Sequence, residues 1–248
     1  MKKIIVYYII CILLCAACSK DKPERDEFID PVFIEYLHTK HRVPLTEDHR
    51  IDLDDDMTQL RLGAIVDLQL YGLNIRDLTG IRNLINLNSL YIQELIRLKS
   101  LDINGLKHIT RLDCIKSAIT QLNIQNTPNL EILDCTDNDL TSIDLSNHPN
   151  LSALYCSNNK LTAINIMFLP QLKTLSCYSN QLSALDVSNI KPIYDYDFLV
   201  LECGKQTDEK GKDLRILLIL SEQMREKWNE LKESDYNENV EAHFLEKR

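Results

Sequence analysis

The chain has 248 residues, 44% of them hydrophobic and 26% charged, with a formal net charge of −9. That is enough apolar material for a buried core and too acidic a balance for a nucleic-acid surface. Leucine occurs 40 times and glycine only 6 times, and neither G-x-G-x-x-G nor G-x-x-x-x-G-K-[ST] is present, so the glycine-cradled nucleotide folds have no support. The first element is a leader: Lys2 and Lys3, then an uncharged apolar run over 4–17. That run falls short of the roughly 20 residues a membrane-spanning helix needs and suits a secretory signal.

The leader ends Leu14-Cys15-Ala16-Ala17-Cys18, which resembles a bacterial lipobox, with Cys15 standing where that motif usually has Leu. The resemblance implies removal of 1–17 as a lipoprotein signal peptide and lipidation of Cys18. It further implies attachment by that lipid to the bacterial outer membrane, with the protein displayed at the cell surface. Residues 18–27 are then a charged tether, too polar to pack.

Residues 28–64 are expected to form a helical N-terminal cap. Asp30-Pro31 pairs an N-cap with proline at the first helical position, and Phe33, Tyr36 and Leu37 share one helical face. Asp52-x-Asp54-x-Asp56 has the opening spacing of a calcium loop, but Met57 takes the place of its glycine and Gly63 that of its glutamate. It is read as a solvated acidic loop.

From 65 to 198 the chain repeats. Ile109, Leu130, Leu151 and Leu172 open four gapless segments ending in Cys114, Cys135, Cys156 and Cys177, each 21 residues after the last. Asn138, Asn159 and Asn180 follow three positions after a Cys, with Ser117 in the first segment. Two turns with a step of 22 precede them (Ile65/Leu68/Leu70 and Leu87/Leu90/Ile92), and a truncated seventh is read at Ile193/Tyr196/Phe198. The pattern L-x-x-L-x-[L/C]-x-x-N-x-L resembles the leucine-rich repeat, and the in-register Cys resembles the cysteine ladder of internalin-type bacterial surface proteins. The implied fold class is an α/β-type solenoid of about 7 coils of 21–22 residues, with a parallel sheet on its concave face. Alternation supports the same picture, since Leu154 and Cys156 face one way and Ala153, Tyr155 and Ser157 the other. A single coil cannot stabilise itself, whereas stacking closes a sheet and a continuous core.

Residues 199–248 are expected to seal the far end as a small α/β cap. It has a strand over 214–220, a helix capped by Ser221 with Met224, Trp228 and Leu231 on one face, and a final strand alternating through Val240, Ala242 and Phe244.

Chemistry is sparse. The four ladder cysteines are read as buried free thiols: neighbouring strands set Cβ atoms about 4.8 Å apart in parallel, where a disulfide wants about 3.8 Å and convergence. Four thiols in a line cannot surround zinc. Cys203 has no role assignable from its spacing. No Ser, Cys and His fall into a catalytic motif, so no enzyme activity, metal or cofactor is expected. Asp102, Asp144 and Asp186, replaced by Asn123 and Asn165 in other coils, are read as acceptors for the turn backbone of the next coil.

Function is left to the outward strand positions. Tyr91, Tyr155 and Tyr178 supply aromatics of the kind enriched at binding hot spots. Asp113, Asp134, Asp137 and Asp139 are read as one acidic patch, and Ser157 and Ser176 as part of the same exposed face. The expectation is a non-catalytic, surface-anchored binding or adhesion module, monomeric, offering a rigid face to a protein or glycan partner. The alternative is a structural subunit of an outer-membrane assembly, docking through its caps.

Overall fold

The structure, a computed structural model, describes residues 26–189, 200–208, 210–221, 224–233 and 235–245. The leader expected over 1–17, Cys18, most of the expected tether and the expected Ile193/Tyr196/Phe198 phase lie outside the described residues.

Two helices precede the coils. Helix α1 (Pro31–His41) begins at Asp30, whose Oδ1 accepts the N–H groups of Val32 and Phe33 at 2.9 and 3.1 Å, with proline at the first turn. Its apolar side buries Phe33, Ile34 and Leu37. The second Asp30 oxygen accepts from Arg76 and Asp77 N–H at 2.8 and 3.2 Å, so one side chain caps the helix and ties it to the first coil. Helix α2 (Asp56–Gly63) is capped by Asp55. In the acidic stretch before it, Asp52 closes a local turn by accepting the Asp54 N–H at 2.9 Å.

The coils then supply β1 (Asp67–Tyr71), β2 (Ser89–Gln93), β3 (Ser100–Asp102), β4 (Arg111–Ile115), β5 (Gln121–Asn123), β6 (Ile132–Asp134) and β7 (Ala153–Tyr155). They continue with β8 (Thr174–Ser176), β9 (Ala184–Asp186) and β10 (Val200–Glu202). The main sheet has seven parallel strands in the order β1-β2-β4-β6-β7-β8-β10. The molecule is a parallel-strand solenoid of about seven turns, and strands about 4.8 Å apart make a stack about 30 Å long. Its seventh strand is β10, residues 200–202, beyond the 65–198 span expected for the repeats.

Leu68, Leu90, Leu112, Leu133, Leu154, Leu175 and Leu201 are consecutive register partners across all seven strands, each buried. They are the spine of the core. A second layer contains the parallel pair β3–β5 and the sheet β9-β13-β14, where β13 is Ile216–Ser221 and β14 Val240–Leu245. The C-terminal segment therefore extends both layers, β10 continuing the first and β13 the second. Between them β11 (Gln206–Thr207) and β12 (Asp213–Leu214) form a short antiparallel pair. Helix α3 (Arg225–Leu231) buries Met224 and Trp228 at its start and middle. Ser221, expected as its cap, ends β13 instead, and no side chain caps α3.

Each coil leaves the main sheet through a left-handed residue. Gly72, Glu94, Lys116, Asp137, Asn158, Ser179 and Lys205 occupy equivalent positions, with φ between +52° and +61°. A Cβ in this region costs about 1–2 kcal/mol. Ser179→Gly is therefore expected to raise stability by up to about 1 kcal/mol after glycine's larger unfolded-state entropy is counted, and Ser179→Val to lower it. Urea denaturation midpoints at constant slope measure both.

The second-layer turns are closed by Asx motifs. Asp102, Asn123, Asp144, Asn165 and Asp186 each accept the backbone N–H two residues ahead, at 2.9–3.2 Å. The donor lies in the same coil, not in the next one as expected, because a short Asx side chain reaches its own turn first.

Candidate functional site

The interior face of the coils is consumed by structure. Cys114, Cys135, Cys156 and Cys177 are fully buried and unbridged. Cys203 joins them as a fifth rung: Leu201-x-Cys203-x-x-Gln206 repeats the Leu175-x-Cys177-x-x-Asn180 pattern after 26 residues rather than 21. Burial and neighbouring groups push the first four thiols well above their ordinary range, and burial alone pushes Cys203 up to about 12. The reactive thiolate is thereby suppressed. Iodoacetamide is expected to leave these five sulfurs unmodified in the native chain at pH 8 and to label all of them in denaturant, as read by mass spectrometry.

Beside the sulfurs runs a ladder of amides. Asn138, Asn159 and Asn180 each donate to the carbonyls of two successive ladder cysteines, at 2.6–3.1 Å, while Oδ1 accepts a backbone N–H of the preceding coil. Gln206 takes the same part in the last coil, donating to Cys177 O and Cys203 O and accepting from Leu182 N–H. Asn237 ends the series by donating to Leu201 O and accepting from Cys203 N–H, both at 2.9 Å. Backbone groups left over where each coil bends are thus satisfied. Gln206 and Asn237 carry no signal at a 21-residue step, though Gln206 is legible once a 26-residue step is allowed.

The solvent side of the main sheet presents a row that register fixes residue by residue: Gln69, Tyr91, Asp113, Asp134, Tyr155, Ser176, Glu202. Two carboxylates thus sit on adjacent strands, with a tyrosine on either side. Arg111 lies over the Tyr91 ring, 5.6 Å from its centroid, and donates through Nε and Nη2 to Asp113 Oδ2 at 3.1 and 2.9 Å. Asp113 is only 8% exposed, and its Oδ1 is buried without a hydrogen-bond partner. Asp134 is half-buried, and its Oδ1 accepts the Thr136 N–H at 3.0 Å. Burial, with Asp113 next to it, raises the Asp134 carboxyl above the usual carboxylate range.

The four aspartates expected as one patch are divided. Asp137 sits at the left-handed turn and accepts from Asn158 Nδ2 at 2.7 Å. Asp139 pairs with Lys160 at 2.6 Å and lines a groove of about 640 Å³ with Gln121 and Asp144, on the flank toward β5. Only Asp113 and Asp134 share the sheet row. Ser157 and Ser176, expected on the exposed face, are buried: their hydroxyls lie 2.8 Å apart, and Ser176 donates to Glu202 at 2.6 Å. A neighbouring-strand carboxylate has drawn them into a closed chain. Tyr178 is half-buried two residues beyond β8.

His148 is fully buried on the second-layer side, with Nε2 beside Ile124 O and Thr127 Oγ1 at 2.9 and 3.2 Å. Among the described residues, no group of three or more His, Cys, Asp and Glu is placed to hold a metal ion, and no helix is long and apolar enough to cross a membrane.

No protein-family model matches the chain, and no curated protein matches it in sequence. Among solved structures, the functional domain of InlJ from Listeria monocytogenes, described as including a cysteine ladder, is similar at 21% identity and a TM-score of 0.43, over 76% of this chain and 55% of that one. The internalin InlF from the same species is similar at 17% identity and a TM-score of 0.26, over 87% of this chain and 90% of that one. The chain thus spans about half the InlJ domain, and its fold assignment rests on its own coil geometry.

Proposed function

We propose that the protein is a non-catalytic binding module that engages a protein partner through the solvent side of its main sheet, centred on Tyr91, Asp113, Asp134 and Tyr155. One observation carries this reading. The ladder and leucine spine use up the inward side of the coils, while the outward row holds two half-buried tyrosines, the half-buried Asp134 and the Arg111-bound Asp113 at strand spacing in a scaffold that cannot rearrange cheaply. Aromatic side chains held on a rigid sheet give contact area with little entropy loss.

The chain organisation in this reading is a leader over 1–17, a tether over 18–27, a cap over 28–64, the coils, and a closing α/β segment. Lipidation of Cys18 would hold the module at the outer membrane, displayed at the cell surface; the lipobox-like Leu14-Cys15-Ala16-Ala17-Cys18 supports that placement.

The test compares the full chain with the Tyr91→Ala/Tyr155→Ala double variant and with Phe168→Ala on arrays of immobilised surface proteins and of glycans. Phe168 is 56% exposed in a turn away from the main sheet. Protein ligands lost with the tyrosines and kept with Phe168→Ala support the reading. Ligands indifferent to the double variant, or found only on the glycan array, overturn it.

A further inference from the structure

The two halves of the outward row are built alike but filled differently. In one half Tyr91 and Asp113 are register partners, and Arg111 lies across them, its guanidinium against the ring and the carboxylate together. In the other half Asp134 and Tyr155 are register partners too, in the reverse order along the row. The positions equivalent to Arg111 on those strands are Ile132 and Ala153, which carry no charge. Among the described residues no cation reaches Asp134 as an ion pair, and the Tyr155 hydroxyl makes no hydrogen bond. Among the described residues one aromatic–carboxylate pair is completed by the chain's own guanidinium, while Arg111 acts on Asp134 only at a distance, without an ion pair.

A second observation points the same way. Asp113 Oδ1 is a buried atom without a hydrogen-bond partner, and it belongs to the residue beside Asp134 in the row. Two adjacent carboxylates with one cation between them leave an excess negative charge in a partly desolvated place, which a second cation neutralises.

We infer that the Tyr155–Asp134 half is a receptor for one arginine side chain of a protein partner, seated as Arg111 is seated on Tyr91 and Asp113. Arginine fits better than lysine because its planar fork can stack on the ring and donate to the carboxylate at once, as the internal copy does. The inference rests on the proposed binding role of this face and names what that face recognises.

The experiment titrates the full chain with the amidated peptide Gly-Gly-Arg-Gly-Gly and with its citrulline counterpart, isosteric but uncharged, following by NMR the Thr136 backbone amide, which bonds Asp134 and is kept in every variant. The arginine peptide is expected to give saturable shifts, with the citrulline peptide at least tenfold weaker. Asp134→Asn and Tyr155→Ala are expected to weaken the arginine peptide at least fivefold, while Glu35→Gln, the same charge change on exposed α1, leaves it unchanged. Equal binding of the two peptides, or full affinity in Asp134→Asn, overturns the inference.

Stability gives an independent check on the variant. The Asp134 carboxyl is raised, so its ionisation opposes folding above that raised value, and Asp134→Asn is expected to melt higher than the parent at pH 7. The gain shrinks as pH falls through the raised value toward the ordinary carboxylate range, where the parent carboxyl is protonated. Weaker arginine binding in a variant that melts higher cannot be a folding defect. Array ligands lost with Tyr91→Ala/Tyr155→Ala but unaffected by Asp134→Asn would sink the arginine receptor alone and leave the binding face standing.

Discussion

Asn159→Ala is expected to destabilise the protein by about 3 kcal/mol or more, lowering the melting temperature by roughly 6–12 °C. The Asn159 amide donates to Cys135 O, Cys156 O and Ser157 O at 2.9–3.2 Å, and its Oδ1 accepts the Leu140 N–H at 3.0 Å. Alanine leaves the Leu140 N–H without its acceptor and strips donors from carbonyls of two coils, in a place closed to water. Each orphaned buried group costs about 1–3 kcal/mol. Asn159→Asp separates the donor role from the acceptor role. It keeps an acceptor for Leu140 but sets a second carboxylate oxygen against three carbonyls. Its destabilisation should therefore exceed that of alanine at pH 7 and ease at acidic pH as the carboxyl protonates. Urea denaturation of the three proteins at pH 7 and pH 4.5 checks this. A loss under 1 kcal/mol in Asn159→Ala would mean that the amide ladder does not hold the coils together.

Asp30→Ala is the second large effect, about 3 kcal/mol, and it is local in origin. The carboxylate serves four backbone N–H groups, Val32 and Phe33 in α1 and Arg76 and Asp77 in the first coil. Removing it uncaps the helix and cuts its polar tie to the stack. The first strand is additionally held by Tyr36, whose hydroxyl donates to Gln69 O at 2.6 Å on the sheet edge. A stack of coils without a seated end frays from that end. Amide hydrogen exchange should therefore show protection falling most in β1 and β2 and least in β7 and β8. Asp30→Asn retains one acceptor oxygen but points an NH2 group at two N–H donors, so it should recover only part of the loss. Uniform loss of protection along the stack would show that the cap does not act as a terminal seal.

The spacing of Leu133, Cys135 and Asn138, repeated at Leu154, Cys156 and Asn159, was enough to read the solenoid, its strand phase and the inward direction of the sulfurs. Every coil meets a near-copy of itself on each side, so each inward position sees the same neighbours and selects the same residue type. That repetition turns a three-dimensional environment into a linear period. It fails where the step changes. Cys203 and Gln206 stand five residues late, and only the pairing of β10 with β8 shows that they continue the ladder.

The outward face has no such repetition. Whether Asp113 is exposed depends on Arg111 lying back across Tyr91, and whether Ser157 and Ser176 reach solvent depends on Glu202, 26 residues further along the chain than Ser176. These are single encounters between unlike side chains on neighbouring strands, and their partners are chosen by sheet register. The amino-acid order alone therefore determined the coil and its interior, because burial there imposes the same demand in every turn. The division of the acidic residues between sheet row and flank, and the pairing that gives Arg111 to Asp113 and leaves Asp134 without an ion pair among the described residues, were decided by the tertiary structure, which alone sets which side chains meet across strands.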